Sequence, residues 1–171
     1  GSYAAANSGQ VPIPPPCEVY CHTLTDRSIL SPELAAQGYH TLTLFGLDMP
    51  HRLFQEDHDA RKSHVRELYL DALDRICNES FRDCLAVDHQ GQPCLELKTP
   101  QDLERDLDLD LGNIFHKTLG WFFTDDVEQV GRWGVETPFS GIYRSGSSAA
   151  RGGAVSGIPG YNAARCVIEQ W

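Results

Sequence analysis

No apolar run in this 171-residue sequence approaches the ~20 residues that a bilayer-spanning helix needs. Its start, Gly1-Ser2-Tyr3, has no initiator Met, no basic n-region and no apolar h-region, so no signal peptide is read there. Gly1-Ser2 reads as a cloning remnant, and the chain then as a piece of something larger. Basic side chains are scarce, with 14 Lys and Arg against 24 Asp and Glu and a formal net charge of −10. A nucleic-acid binder would need a basic face to neutralise phosphates, so that class is set aside. No Cys-x-x-Cys occurs among the cysteines at 17, 21, 77, 84, 94 and 166, which removes the zinc-ribbon and thioredoxin-like signatures. Cys17-x-x-x-Cys21-His22 is the nearest thing to a ligand cluster, but strand alternation would send Cys21 and His22 to opposite faces. The expectation is reduced, mostly buried thiols and no metal site, in a cytoplasmic protein. No internal repeat is visible.

What remains is ordinary for a globular protein. At 41% hydrophobic and 22% charged, the chain can bury a substantial core. Residues 3–16, Ala- and Ser-containing and then Pro-Ile-Pro-Pro-Pro, read as an extended, poorly ordered linker. Alternation predicts strands over 18–25 and 40–47. Between them Ser31, Pro32 and Gly38 read as N-cap, first helical residue and left-handed stop of one helical turn. An amphipathic helix is expected over 59–78, with Val65, Leu68, Tyr69, Ala72, Leu73 and Ile76 in one stripe covering a sheet and Asp71 paired with Arg75. A turn at 88–91 leads to a short strand over 94–98. Thr99, Pro100 and Asp102 then read as N-cap, first residue and acidic N3 of another helix. The alternation of Asp106 to Leu111 predicts an exposed edge.

The last segment has a different composition. Residues 141–145 read as a strand, 146–157 as a loop of glycine and other small residues, and the remainder as a helix with Ala163, Ala164, Val167, Ile168 and Trp171 in a stripe. Strand, glycine loop and helix N-terminus together suit an anion or dipole acceptor, because absent side chains let a ligand reach backbone N–H groups. The fold class expected is α+β: strands with covering amphipathic helices, plus a C-terminal strand, Gly-rich loop and helix. The regions are 1–16, 17–140 and 141–171.

Three runs carry a resemblance: Thr99-Pro100-Gln101-Asp102-Leu103-Glu104-Arg105, Gly112-Asn113-Ile114-Phe115-His116, and Gly141-Ile142-Tyr143 leading into Gly152-Gly153-Ala154-Val155-Ser156-Gly157-Ile158-Pro159-Gly160-Tyr161-Asn162-Ala163-Ala164. Together they resemble the C-terminal part of phytoene dehydrogenase-like FAD oxidoreductases, in the branch called pyridine nucleotide-disulfide oxidoreductase domain-containing protein 2. Residues 24–26, 34–35 and 38–42 resemble that family's substrate-domain hairpin. The resemblance implies that an N-terminal Rossmann unit holds the ADP half of FAD, and that the C-terminal glycine segment returns to the flavin with Gly146, Gly153, Ala154 and Val155. Amides at a helix N-terminus there would stabilise the anionic reduced flavin. The sequence departs from the family at Ala150-Arg151, where His-Pro is frequent. It also has no strand followed by Gly-x-Gly-x-x-Gly, so the Rossmann half is not encoded here.

The expected function is therefore that of a C-terminal fragment of an FAD-dependent oxidoreductase, removing hydride from a C–H bond to give a double bond or an imine, and inactive in isolation. His116, closing the Gly-Asn-Ile-Phe-His run, is the candidate for a role beside flavin or substrate; no catalytic base is otherwise named. The partners expected are the missing Rossmann half, a small-molecule substrate and, as an open alternative, a second copy in a homodimer. A non-catalytic interaction module on the same scaffold is the rival function.

Overall fold

The computed structural model describes residues 1–116, 124, 126–151 and 156–170. The chain divides into two compact units, Gly1–Asp102 and Leu103–Trp171, a different division from the regions read from the sequence.

The first unit opens with a helix where a linker was expected. Three consecutive alanines, the strongest helix formers, give α1 (Ser2–Asn7), which the left-handed Gly9 helps to end. Ala6 is buried, and the Arg52 guanidinium donates to Ala6 O (2.9 Å) and Asn7 Oδ1 (2.7 Å). Val11 packs on the core and Pro12 is buried, so the low-complexity stretch is held by contacts its composition does not announce.

Strands β1 (Cys17–Tyr20) and β2 (Thr43–Gly46) form an antiparallel pair, with Val19 opposite Leu44 and Cys17 opposite Gly46. Both are shorter than expected. Thr23 is buried, and its hydroxyl accepts from Thr41 N–H (3.0 Å) and lies 2.9 Å from His40 Nδ1. These side-chain bonds replace ladder bonds and fold His22–Leu24 into a 3-10 turn. Between the strands, α2 (Pro32–Ala36) follows the expected signals: Ser31 Oγ accepts from Leu34 N–H (3.3 Å), and Gly38 is left-handed.

Helix α3 (His58–Ile76) buries Val65, Tyr69 and Leu70. Val65 and Tyr69 join Leu53 and Phe54 in a cluster that Leu44 of β2, Met49 and Leu97 flank. The expected stripe holds only in part, since Ile76 is 77% exposed at the last turn. Tyr69 Oη–H donates to Pro16 O (3.1 Å), and a Cβ on Gly46 would stand 2.6 Å from Tyr69 Oη, so the approach of helix to strand needs glycine. Asp71 is engaged by Arg82 (2.7 Å), which also gathers Glu67 (3.1 Å) and Asp74, in place of the local pair with Arg75.

The turn at 88–91 forms, but 94–98 is not a strand; only the bridge Val87–Pro93 is present there. Helix α4 (Pro100–Leu107) begins where expected. The alternating acidic run beyond it makes no edge, because Asp108 and Leu111 turn left-handed and Asp110–Gly112 closes as a 3-10 turn.

In the second unit, residues 141–145 make a single bridge, Tyr143 to Glu136, instead of a strand. Helix α5 (Ile158–Gln170) buries Pro159, Asn162, Ala163 and Cys166, while Ala164, Val167 and Ile168 of the expected stripe are exposed. Trp171 lies outside the described residues. Ala163 and Cys166 pack with Val135, Ala149, Trp133 and Tyr143.

Candidate functional site

In the second unit two stretches of chain are tied by backbone. Arg144 N–H donates to Val135 O (2.8 Å) and Ala150 N–H to Gly134 O (2.8 Å), so residues 134–136 and 143–150 run as one layer. Gly134 is left-handed (φ +76°), and a Cβ there would press on Ala150 Cβ at 3.1 Å. Only glycine meets both demands without strain. Val135 and Ala149 are fully buried in this layer.

Glu136 stabilises the bend that carries Gly134. Its carboxylate accepts from Trp133 N–H (3.0 Å) and Val135 N–H (2.9 Å). Burial pushes the Glu136 carboxyl up, but the backbone N–H groups of residues 133–136 outweigh it and hold it below the ordinary 4.5. Asn162 of α5 donates to Trp133 O (3.2 Å), and Trp133 Nε1–H to Glu169 Oε2 (3.0 Å). The helix that leaves the loop is thereby locked to the bend at its first and last turns.

On this frame Gly146 starts a turn in which Ala149 N–H donates to Gly146 O (3.0 Å), and the Arg144 guanidinium donates to Ser148 O (3.2 Å). Among the described residues, a Cβ built on Gly146 would meet no atom within 4 Å, and neither would one on Gly157. The N-terminus of α5 offers less than expected: Ile158 N–H is taken by Ser156 Oγ (3.3 Å), and Pro159 has no N–H to give. Gly153, Ala154 and Val155 lie outside the described residues. His116 is exposed in a left-handed turn, its N–H donating to Asn113 O (2.8 Å). Among the described residues no hydrogen bond, ion pair or ring contact joins it to Gly146.

A second polar cluster lies in the first unit, where α4 is capped. Thr99 Oγ1 accepts from Asp102 N–H (3.1 Å), and Asp102 Oδ2 accepts from Thr99 N–H (2.9 Å), a reciprocal capping box. Asp102 is 1% exposed and also takes Lys62 Nζ of α3 at 2.7 Å; His58 Nε2 stands 3.0 Å from Thr99 Oγ1. Burial raises the Asp102 carboxyl, but Lys62 and the Thr99 amide and hydroxyl hold it well below the usual carboxylate range. A buried acid with its acceptors filled from its own fold is a joint, not a reagent.

Sequence reasoning found Gly146, Thr99 and Asp102 but not Gly134, Glu136 or Asn162. The pair Gly134 and Glu136 sits in an irregular stretch with no periodicity to draw attention. Among the described residues no group of His, Cys, Asp and Glu could hold a metal ion, and all six cysteines are unpaired. No helix is long and apolar enough to cross a membrane among these residues.

Comparison with known proteins finds longer relatives. An uncharacterized protein of Mycobacterium tuberculosis (strain ATCC 25618 / H37Rv) is 44% identical over 171 residues, covering 98% of this chain and 32% of its own length. The pyridine nucleotide-disulfide oxidoreductase domain-containing protein 2 of Rattus norvegicus is 32% identical over 147 residues, covering 83% of this chain and 24% of its own length. That of Mus musculus matches to the same extent. The chain thus spans about a third of the length of the first of these curated relatives or less. No family model and no solved structure matches it.

Proposed function

We propose that this chain is the C-terminal portion of an FAD-dependent oxidoreductase, contributing a substrate-type α+β domain and the glycine segment that returns to the flavin. The observation that carries the reading is the similarity to pyridine nucleotide-disulfide oxidoreductase domain-containing protein 2, which runs through 83% of the chain. Two observations among the described residues support the reading. Gly146 leaves backbone open on one side, and the rigid layer of 134–136 and 143–150 holds that backbone in place on the other. Gly146, with Gly153, Ala154 and Val155, would hold the flavin edge. Bound flavin supplies an acceptor for hydride leaving a C–H bond.

The chain's own part is positioning. Glu136 and Asn162 fix the bend and the helix that frame the loop, and absent side chains keep the approach clear. His116, exposed on its turn, is the candidate for handling a proton beside flavin or substrate. The outer face of α5 exposes Tyr161, Ala164 and Ile168, opposite its buried face. A helix apolar on both faces suits a place between two layers, and the dinucleotide-binding remainder of the polypeptide is the partner that supplies the second.

The test uses the full-length protein. Purified and then denatured, it is expected to release FAD in stoichiometric amount, and the native visible spectrum should differ from that of free FAD. A folded full-length protein that neither carries FAD nor takes it up would overturn the reading.

A further inference from the structure

The sheet of the first unit stops at two strands, and its β1 side is unfinished. Leu47 N–H donates to Pro16 O (2.9 Å), which makes Glu18–Phe45 and Tyr20–Thr43 the bonded pairs of the ladder. Cys17 and Val19 therefore aim their N–H and C=O groups away from β2, and among the described residues none of these groups has a hydrogen-bond partner. The face beneath β1 is open as well. Val19 stands opposite Leu44 on the α3 side of the sheet, yet Leu44 packs against the core while Val19 is 47% exposed. Among the described residues the core cluster is flanked by Leu44 of β2 and by no residue of β1, so it ends between the two strands. On the other face Tyr20 is exposed. β1 also carries none of the devices that blunt a true edge: no proline, no lysine and no bulge interrupts its paired residues. A two-stranded ribbon is marginal by itself, and a third strand is the usual remedy.

We infer that β1 is an inner strand of the complete protein: an extended segment from the part of the polypeptide outside these residues adds to its free edge. The inference rests on the reading above of this chain as one portion of a longer oxidoreductase, and most of the length of its relatives lies outside the matched region. The occupant is a strand and not a helix, because the edge presents alternating N–H and C=O groups that only extended backbone can match. On the α3 side its side chains are apolar, since they continue the core past Val19. On the other face they lie beside Tyr20.

The experiment uses the full-length protein. Amide exchange is read residue by residue across β1, and FAD content is measured on the same sample. In a second preparation p-benzoylphenylalanine replaces Tyr20 and marks its neighbours by photo-crosslinking. Bonds to β2 alone would leave the Val19 amide exchanging nearly as fast as unstructured chain, between slow amides at Glu18 and Tyr20. The expected result is that Val19 exchanges on the order of a hundredfold more slowly than unstructured chain, as its two neighbours do. Crosslinks should reach residues outside this chain, in products of monomer mass. Fast Val19 exchange in a protein that carries FAD would overturn the inference and leave the flavin reading intact. Crosslinks to residues 103–171, or to β1 of a second copy, would overturn it too. Slow Val19 exchange with crosslinks outside this chain, in a protein without FAD, would sink the flavin reading and keep the added strand.

Discussion

Two carboxylates show how differently the halves of the chain are built. Asp102, in the first unit, is neutralised by side chains: the Lys62 ammonium and the Thr99 hydroxyl, with one backbone amide. Glu136, in the second, is satisfied by the backbone amides of Trp133 and Val135. The first arrangement joins two helices and leaves no acceptor waiting for a ligand. The second uses a carboxylate to hold a bend of main chain, beside a turn in which, among the described residues, a Cβ on Gly146 would meet nothing. The Asp102 carboxylate joins elements in one unit, and the Glu136 carboxylate shapes a backbone bend in the other.

The largest effect is expected at the joint. Asp102→Ala leaves the Lys62 ammonium without its carboxylate and uncaps α4, at a cost of about 3 kcal/mol to the first unit. Amide exchange of α3 in urea reads it, and a change under about 1 kcal/mol would show the network to be ornamental. Next comes Gly134→Ala, which places a Cβ against Ala150 in a left-handed conformation. It should cost the second unit about 2 kcal/mol. No tryptophan precedes residue 121, and Trp133 packs on that unit's core, so tryptophan fluorescence follows its unfolding.

Acid separates the two carboxylates. Both titrate in the folded protein below their ordinary values, so each contribution is complete above that value and is lost as pH falls. Glu136's contribution declines as pH drops below 4.5, and Asp102's only below 3.8 and over a lower range. On acid titration tryptophan fluorescence should therefore change before α3 loses exchange protection, and the reverse order would break the comparison. The smallest effect belongs to Arg165→Ala. Its pair with Glu169 on α5 is half-exposed, and its loss should cost less than about 0.5 kcal/mol in thermal unfolding.

The legible parts of the fold were those whose signals close within a few residues. Ser31, Pro32 and Gly38 bracket α2, and Thr99 with Asp102 starts α4, because a cap is satisfied by its own first turn. Long-range choices were hidden. Nothing near Lys62 says that it meets Asp102 40 positions away. The inner face of α5 could not be read from hydrophobicity, since its buried side carries Pro159, Asn162 and Cys166 while Val167 and Ile168 face outward. The strands expected over 94–98 and 141–145 had the right residues, but among the described residues no partner long enough to form a ladder. In the candidate site Gly146 was visible as a glycine among small residues. Glu136 was not visible, because its role depends on bonds to backbone atoms that any sequence provides.

The central claim is that these 171 residues carry one part of a flavin site and need the rest of the polypeptide to complete it. Equilibrium titration with FAD, run on the isolated chain beside the full-length protein, tests this directly. Half a site still bears the ordering cost of ligand and loop without the pyrophosphate and ribose contacts that offset it. The expected result is saturable, stoichiometric binding with a perturbed flavin spectrum in the full-length protein and none in the isolated chain at micromolar FAD. Stoichiometric binding by the isolated chain, or none by either protein, would contradict the claim.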